Sequence, residues 1–172
     1  LYVNNGFGFD PGWLSFDSSD TRDVAWADVD GDGDLDLMSA NHLQADHLYE
    51  NDGGQLAAIW SSEATDKSSS LAWGDLDGDG DLDLAVGNAG TTANLLYENQ
   101  GGFLAPLMST EETEGTQSVA WGDVDGDGDI ELVSGSWQEE NRLYWNRRIG
   151  PSRLPDGPTV PSLAPIGDTD KG

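Results

Sequence analysis

Val24-Ala-Trp-Ala-Asp-Val-Asp-Gly-Asp-Gly-Asp-Leu-Asp-Leu37 recurs almost unchanged as Leu71-Ala-Trp-Gly-Asp-Leu-Asp-Gly-Asp-Gly-Asp-Leu-Asp-Leu84, and again as Val119-Ala-Trp-Gly-Asp-Val-Asp-Gly-Asp-Gly-Asp-Ile-Glu-Leu132. The step from Val24 to Leu71 is 47 residues and that from Leu71 to Val119 is 48. A second marker, Leu-Tyr-x-Asn, falls at Leu1 to Asn4, Leu48 to Asn51, Leu96 to Asn99 and Leu143 to Asn146, in step with the first. Two markers that keep one period define a repeat, and a repeat of this length is one supersecondary unit that buries its faces against its neighbours.

Each unit reads as short strands. Before the acidic stretch, apolar residues alternate (Val24 and Trp26, Leu71 and Trp73, Val119 and Trp121), which suits a strand. The aspartates and glycines that follow suit a tight turn. Then come a β-prone run such as Leu82-Asp-Leu-Ala-Val-Gly, the segment Asn94-Leu-Leu-Tyr-Glu-Asn, a Gly101-Gly102 turn and Phe103-Leu-Ala-Pro-Leu-Met. Four antiparallel strands in such a span make a propeller blade, and no segment carries a sustained helical period. The expectation is an all-β chain with about three to four blades present, as a partial or oligomer-completed propeller.

The blades are expected over residues 1–150, with unit boundaries near 1–47, 48–95, 96–142 and 143–172. The segment 151–172 holds five of the seven prolines. It reads as a Pro-rich stretch leading into a degenerate, truncated fourth repeat, since Ser162-Leu-Ala-Pro-Ile-Gly-Asp-Thr-Asp-Lys-Gly172 aligns with Ser70-Leu-Ala-Trp-Gly-Asp-Leu-Asp-Gly if one residue is inserted. A flexible linker is the plainer alternative.

Charge narrows the partners. With 33 acidic residues against 7 Lys and Arg the net charge is −26, which opposes nucleic acid and anionic membrane alike. A cation is the natural counterpart. No apolar run reaches the roughly 18 residues of a spanning helix, so no membrane insertion is expected. The absence of cysteine removes disulfides and thiolate metal sites together.

Within each loop, acidic residues stand at positions one, three, five and nine, with glycine at six. Alternate residues of a sharply turned loop aim their carboxylates at one point, and a hard cation such as Ca²⁺ takes six to eight oxygens. In the first loop the side-chain candidates are Asp28, Asp30, Asp32 and Asp36, with the backbone carbonyl of Asp34 at position seven. Unit charges roughly 4 Å apart repel by about 1 kcal/mol in water and by more where water is excluded, so the loops call for a counter-ion.

With its Asp-x-Asp-Gly-Asp-Gly-x-x-Asp loops and β flanks, the chain resembles the FG-GAP or VCBS repeats of integrin-α-like propellers over about 145 residues. That resemblance implies a calcium ion in a hairpin loop of each blade, about three Ca²⁺ in all. Its pattern carries over to Asp28, Asp30, Asp32, Asp34 and Asp36; to Asp75, Asp77, Asp79, Asp81 and Asp83; and to Asp123, Asp125, Asp127, Asp129 and Glu131. Asp81 and Asp129, like Asp34, would offer backbone oxygens. Glu131 departs from the pattern by one methylene. The truncated fourth loop keeps Asp168 and Asp170 but has Lys171 where the others have Gly, and is expected to bind no ion.

Competing chemistries fit less well. An EF-hand wants glutamate at position twelve and flanking helices, whereas Ser39, Val86 and Ser134 stand there between strand-like runs. Repeats-in-toxin rolls have a nine-residue period, thrombospondin-type modules rely on cysteine, and Mg²⁺ prefers octahedral, partly hydrated sites. Fifteen loop acids recurring at every repeat are not a once-only pair of catalytic carboxylates, and His42 and His47 read as surface or turn residues. No enzyme activity is expected.

The recurring Tyr2, Tyr49, Tyr97, Tyr144, Trp26, Trp73 and Trp121 read as core packing. The non-repeating Trp13, Trp60, Trp137 and Trp145 are the better candidates for a binding face. A basic cluster, Arg142, Arg147, Arg148 and Arg153, reads as a solvated surface. The expected function is a calcium-stabilised, extracellular or cell-surface, secreted scaffold for adhesion or binding to a protein or glycan ligand. Two alternatives stand beside it: a subunit that assembles with copies of itself by completing blades between chains, and a non-catalytic accessory domain of a larger secreted enzyme.

Overall fold

The computed structural model describes residues 2–4, 6, 9–15, 18–111, 113, 115–146 and 164–165. Among these there is no helix, and three four-stranded antiparallel sheets follow one another along the chain. The first blade contains β3 (Thr21–Ala27), β4 (Asp36–Asn41), β5 (His47–Asp52) and β6 (Gln55–Ser61). The second contains β7 (Ser68–Gly74), β8 (Asp83–Asn88), β9 (Leu95–Asn99) and β10 (Leu104–Ser109). In the third, β11 (Thr116–Gly122), β12 (Glu131–Ser136) and β13 (Arg142–Trp145) are joined by β14 (Ala164–Pro165), which pairs with Tyr144 and Trp145. A separate hairpin precedes them: β1 (Tyr2–Asn4) with β2 (Phe9–Pro11).

The expected all-β blade architecture is what the structure shows. The acidic loop joins the first two strands of every blade, and Leu-Tyr-x-Asn forms the third strand of each. Positions 28–36 therefore sit at the same hairpin bend as 75–83 and 123–131. Asp168 and Asp170 lie outside the described residues.

Every blade presents two unlike faces. One, the large face, carries Leu71, Trp73, Leu84 and Tyr97 in the second blade; the other carries the alanines Ala72 and Ala85 beside Leu96. The large face of the second blade packs on Ala25, Met38 and Leu48 of the first, and that of the third packs Val119, Trp121, Leu132 and Tyr144 on Ala72, Ala85 and Leu96. Met38, Leu48, Leu84 and Leu132 are fully buried there. Each such side chain contributes about 1.5–3 kcal/mol on leaving water, so the stack of blades is itself the core.

Of the recurring aromatics with described side chains, Tyr49, Tyr97 and Tyr144 are buried, and Trp73 and Trp121 pack partly buried against the core. Trp26 corrects the expectation: it is 43% exposed, because no blade stands against the large face of the first blade among the described residues. Of the non-repeating tryptophans, Trp60 is structural, packing edge-on to Tyr97 with centroids 5.3 Å apart. Trp13 leans on Tyr49 and donates to the Leu56 carbonyl at 3.1 Å, while Trp137 is 67% exposed.

Candidate metal centres

The bends are drawn tight by their own aspartates. The position-three carboxylate accepts from the position-five amide in every loop: Asp32 to Asp30 at 3.1 Å, Asp79 to Asp77 at 3.1 Å and Asp127 to Asp125 at 3.2 Å. The position-five carboxylate accepts from position seven, as with Asp34 to Asp32 at 2.8 Å, Asp81 to Asp79 at 2.9 Å and Asp129 to Asp127 at 3.0 Å. The position-one carboxylate accepts from the glycine at position six, Gly33, Gly80 or Gly128, at 3.0–3.2 Å. That glycine has φ of 96–102° in all three loops, a left-handed conformation that side-chain-bearing residues rarely adopt.

These turns converge acidic oxygens. One oxygen from each of Asp28, Asp30 and Asp32 lies within 4.8 Å of the others, and the same holds for Asp75, Asp77 and Asp83 and for Asp123, Asp125 and Asp127. Oxygens bound to one Ca²⁺ at about 2.3–2.6 Å sit at most about 5 Å apart, so each cluster has the dimensions of a coordination sphere. Asp28 Oδ1 is buried and has no hydrogen-bond donor. A buried carboxylate oxygen without a donor is costly, and a cation is the partner that would satisfy it.

Position nine has a second task. Asp36 accepts from the amides of Val29 and Asn51, both at 2.9 Å, and is buried. Asp83 accepts from Leu76 at 2.8 Å and Asn99 at 2.9 Å, and Glu131 from Val124 at 2.9 Å. Asp36 and Asp83 thus pin the second residue of their own loop to the strand that carries Leu-Tyr-x-Asn. Asp83 also reaches the cation cluster, whereas Asp36 and Glu131 fall outside the three-oxygen clusters of their loops. Burial pushes the Asp83 carboxyl above its usual pKa, with the nearby charges of Asp77 and Asp79 adding to the shift and the two amides opposing it.

Asparagines that the sequence offered only as period markers extend this fastening between blades. Asn99 Nδ2 donates to the carbonyl of Val29 at 2.7 Å, and Asn146 Nδ2 to that of Leu76 at 2.9 Å, both buried. Their recurrence at a fixed offset from the acidic loops was the available signal. Asp46 was also missed. It is buried against the second blade, accepting from Asn41 N at 2.7 Å and Ser68 Oγ at 2.9 Å, where the second blade has Asn94.

Stacked four-stranded antiparallel blades with an acidic hairpin bend in each define a β-propeller-like repeat module. The FG-GAP-like repeat profile matches residues 28–86 and again 75–134. The chain belongs to the FG-GAP-like repeat family. Among curated proteins, none matches it.

Proposed function

We propose that the chain is a calcium-stabilised, non-catalytic binding scaffold that works outside the cell. The buried, donor-less Oδ1 of Asp28 beside Asp30 and Asp32 is the observation that carries this reading. Calcium suits the donor set because every clustered group is a carboxylate oxygen, and Ca²⁺ takes six to eight oxygen ligands. Asp28, Asp30 and Asp32, then Asp75, Asp77 and Asp83, then Asp123, Asp125 and Asp127 would hold the ions. Asp36, Asp79, Glu131 and the carbonyls of Asp34, Asp81 and Asp129 would complete the sites, as the family resemblance implies.

The ion would cancel the mutual repulsion of each bend and leave the blades rigid. Extracellular modules bind Ca²⁺ with Kd of about 10⁻⁴–10⁻³ M, which fills such loops outside the cell and leaves them largely empty in cytosol. Isothermal calorimetry of the chelator-treated protein tests this. About three ions bound in that affinity range is the expected result. Sub-micromolar affinity would place the module among intracellular sensors, and no binding heat below 10 mM Ca²⁺ would remove the calcium reading.

A further inference from the structure

We propose that the groove between the last strands of the first and second blades binds an extended peptide segment of a partner protein, one that carries an arginine beside bulky apolar residues. This site rests on the scaffold reading and gives that scaffold its class of partner.

The groove lies where both neighbours are in place. Its walls are two consecutive blades, so a blade added before the first or after the third would lie against other faces. Ser61 and Ser109 end β6 and β10 at matching points, paired with His47 and Leu95. Trp60 of β6 meets Tyr97 of β9 edge-on at 5.3 Å. Around that contact the blades leave a cavity of about 570 Å³, a volume typical of ligand sites.

Its shape fits an extended chain. The wall follows β10 from Phe103 to Ser109, and at about 3.3 Å per residue that is roughly 20 Å, the span of about six extended residues. The floor is apolar, with Leu95, Leu104, Pro106 and Leu107 along it and Phe103 58% exposed at one end. Pro106 has no amide and a bulge separates it from Met108, so strand addition along β10 is opposed and recognition falls to the partner's side chains.

The other end is acidic. Glu63 stands in the wall just past β6. Tyr97, 4% exposed, has its pKa pushed up to about 12, first by burial and then by the charges of Asp46, Asp66 and Glu63. Three carboxylates thus act on one phenol, whose hydroxyl has no hydrogen-bond partner among the described residues. Among those residues no lysine or arginine lines the groove, and Lys67 extends instead toward Gly90, its Nζ 3.3 Å from where a Gly90 Cβ would stand. An arginine answers this field: its guanidinium keeps its charge, stacks on aromatic rings and pairs with a carboxylate through two hydrogen bonds. A glycan would find little to hold, because Ser61, Glu63 and Ser109 are the only polar side chains in the described lining apart from the Trp60 and Tyr97 rings.

Fluorescence polarisation of the whole chain in 2 mM Ca²⁺ tests this, with labelled hexapeptides holding one Arg, one Phe, two Leu and two Ser in every order. Companion sets replace Arg by Glu, or Phe and Leu by Ser. Some Arg-bearing sequences should bind, and their companions should each bind at least about tenfold more weakly. Glu63→Lys at the acidic end and Phe103→Ala at the apolar end should each weaken binding at least about fivefold. Glu139→Lys, the same charge change on an exposed residue of the third blade, should leave it unchanged. Circular dichroism checks that the variants fold, with Glu63→Gln and Phe103→Ser as a second pair if they do not. The proposal is overturned if no sequence binds below about 1 mM. It is equally overturned if Glu serves as well as Arg, if arginine amide alone binds as tightly as the hexapeptides, or if neither groove variant weakens binding. A chain that takes up calcium but none of these peptides defeats this proposal and leaves the calcium-stabilised scaffold standing; one that binds them without calcium heat defeats the calcium reading alone.

Discussion

Asn99 in the third strand of the second blade donates its Nδ2 hydrogen to the Val29 carbonyl in the acidic loop of the first, at 2.7 Å and out of water. The Asn99 amide is held in turn by Asp83 of the second loop, and the Leu76 carbonyl of that loop is taken by Asn146. One line of hydrogen bonds therefore runs from loop to loop across the blade interfaces.

Asn99→Ala should cut this line. It leaves the Val29 carbonyl buried without a donor, at a cost of about 1–3 kcal/mol. Urea unfolding measures the loss. Weaker calcium binding at the first loop, with the other two unchanged, is expected in a calorimetric titration, because only the first loop's backbone is released.

Asp77→Ala and Asp83→Ala should separate ion binding from framework. Asp83 holds two backbone amides, so its loss should cost about 1–3 kcal/mol per abandoned amide with or without calcium. Asp77 belongs to the cation cluster and shares the exposed Asp79 amide with Asp75, so Asp77→Ala should lower the melting temperature in calcium and change it little in chelator, where loss of one repelling charge offsets the lost turn hydrogen bond. Paired melting curves with and without 2 mM Ca²⁺ measure both.

Fold and loops were legible in the sequence because both come from local rules: alternating apolar residues for strands, and acids on alternate residues for a bend. What stayed hidden is nonlocal. Nothing in Asp36 or Asp83 announces that both carboxylate oxygens are held by amides from two segments. Trp26 looks identical to Trp73 and Trp121 in sequence and differs only in having no described blade against it. Asp46 was visible as the acid standing where another repeat has Asn94, but burial at an interface is what gives that difference meaning.

Asp46→Asn should stabilise the protein near neutral pH. Burial is the main reason its pKa is pushed up to about 6 from 3.8, with Asp66 adding to the rise and the bonds from Asn41 and Ser68 opposing it. The native state therefore binds the proton more tightly than the unfolded chain, and stability from this group falls as pH rises from about 4 to 6, then stays flat. The variant should remove that fall, gaining on the order of 2–3 kcal/mol at pH 7.5 and nothing at pH 3.5. Chemical unfolding of both proteins in chelator across this range reads the difference.

Gly87→Ala should weaken the packing of the second blade on the third. An added Cβ would lie 2.9 Å from Thr116 Cγ2 and 3.0 Å from Val119 Cγ1, closer than such carbons approach. A loss of about 1–3 kcal/mol is expected in urea, with calcium stoichiometry unchanged.

Anomalous diffraction from crystals grown in millimolar Ca²⁺ tests the central claim directly. Peaks should appear at all three bends, each about 2.3–2.6 Å from the clustered carboxylate oxygens of Asp28, Asp75 or Asp123 and their neighbours. Bends that diffract well yet show no anomalous peak in any loop would contradict the account.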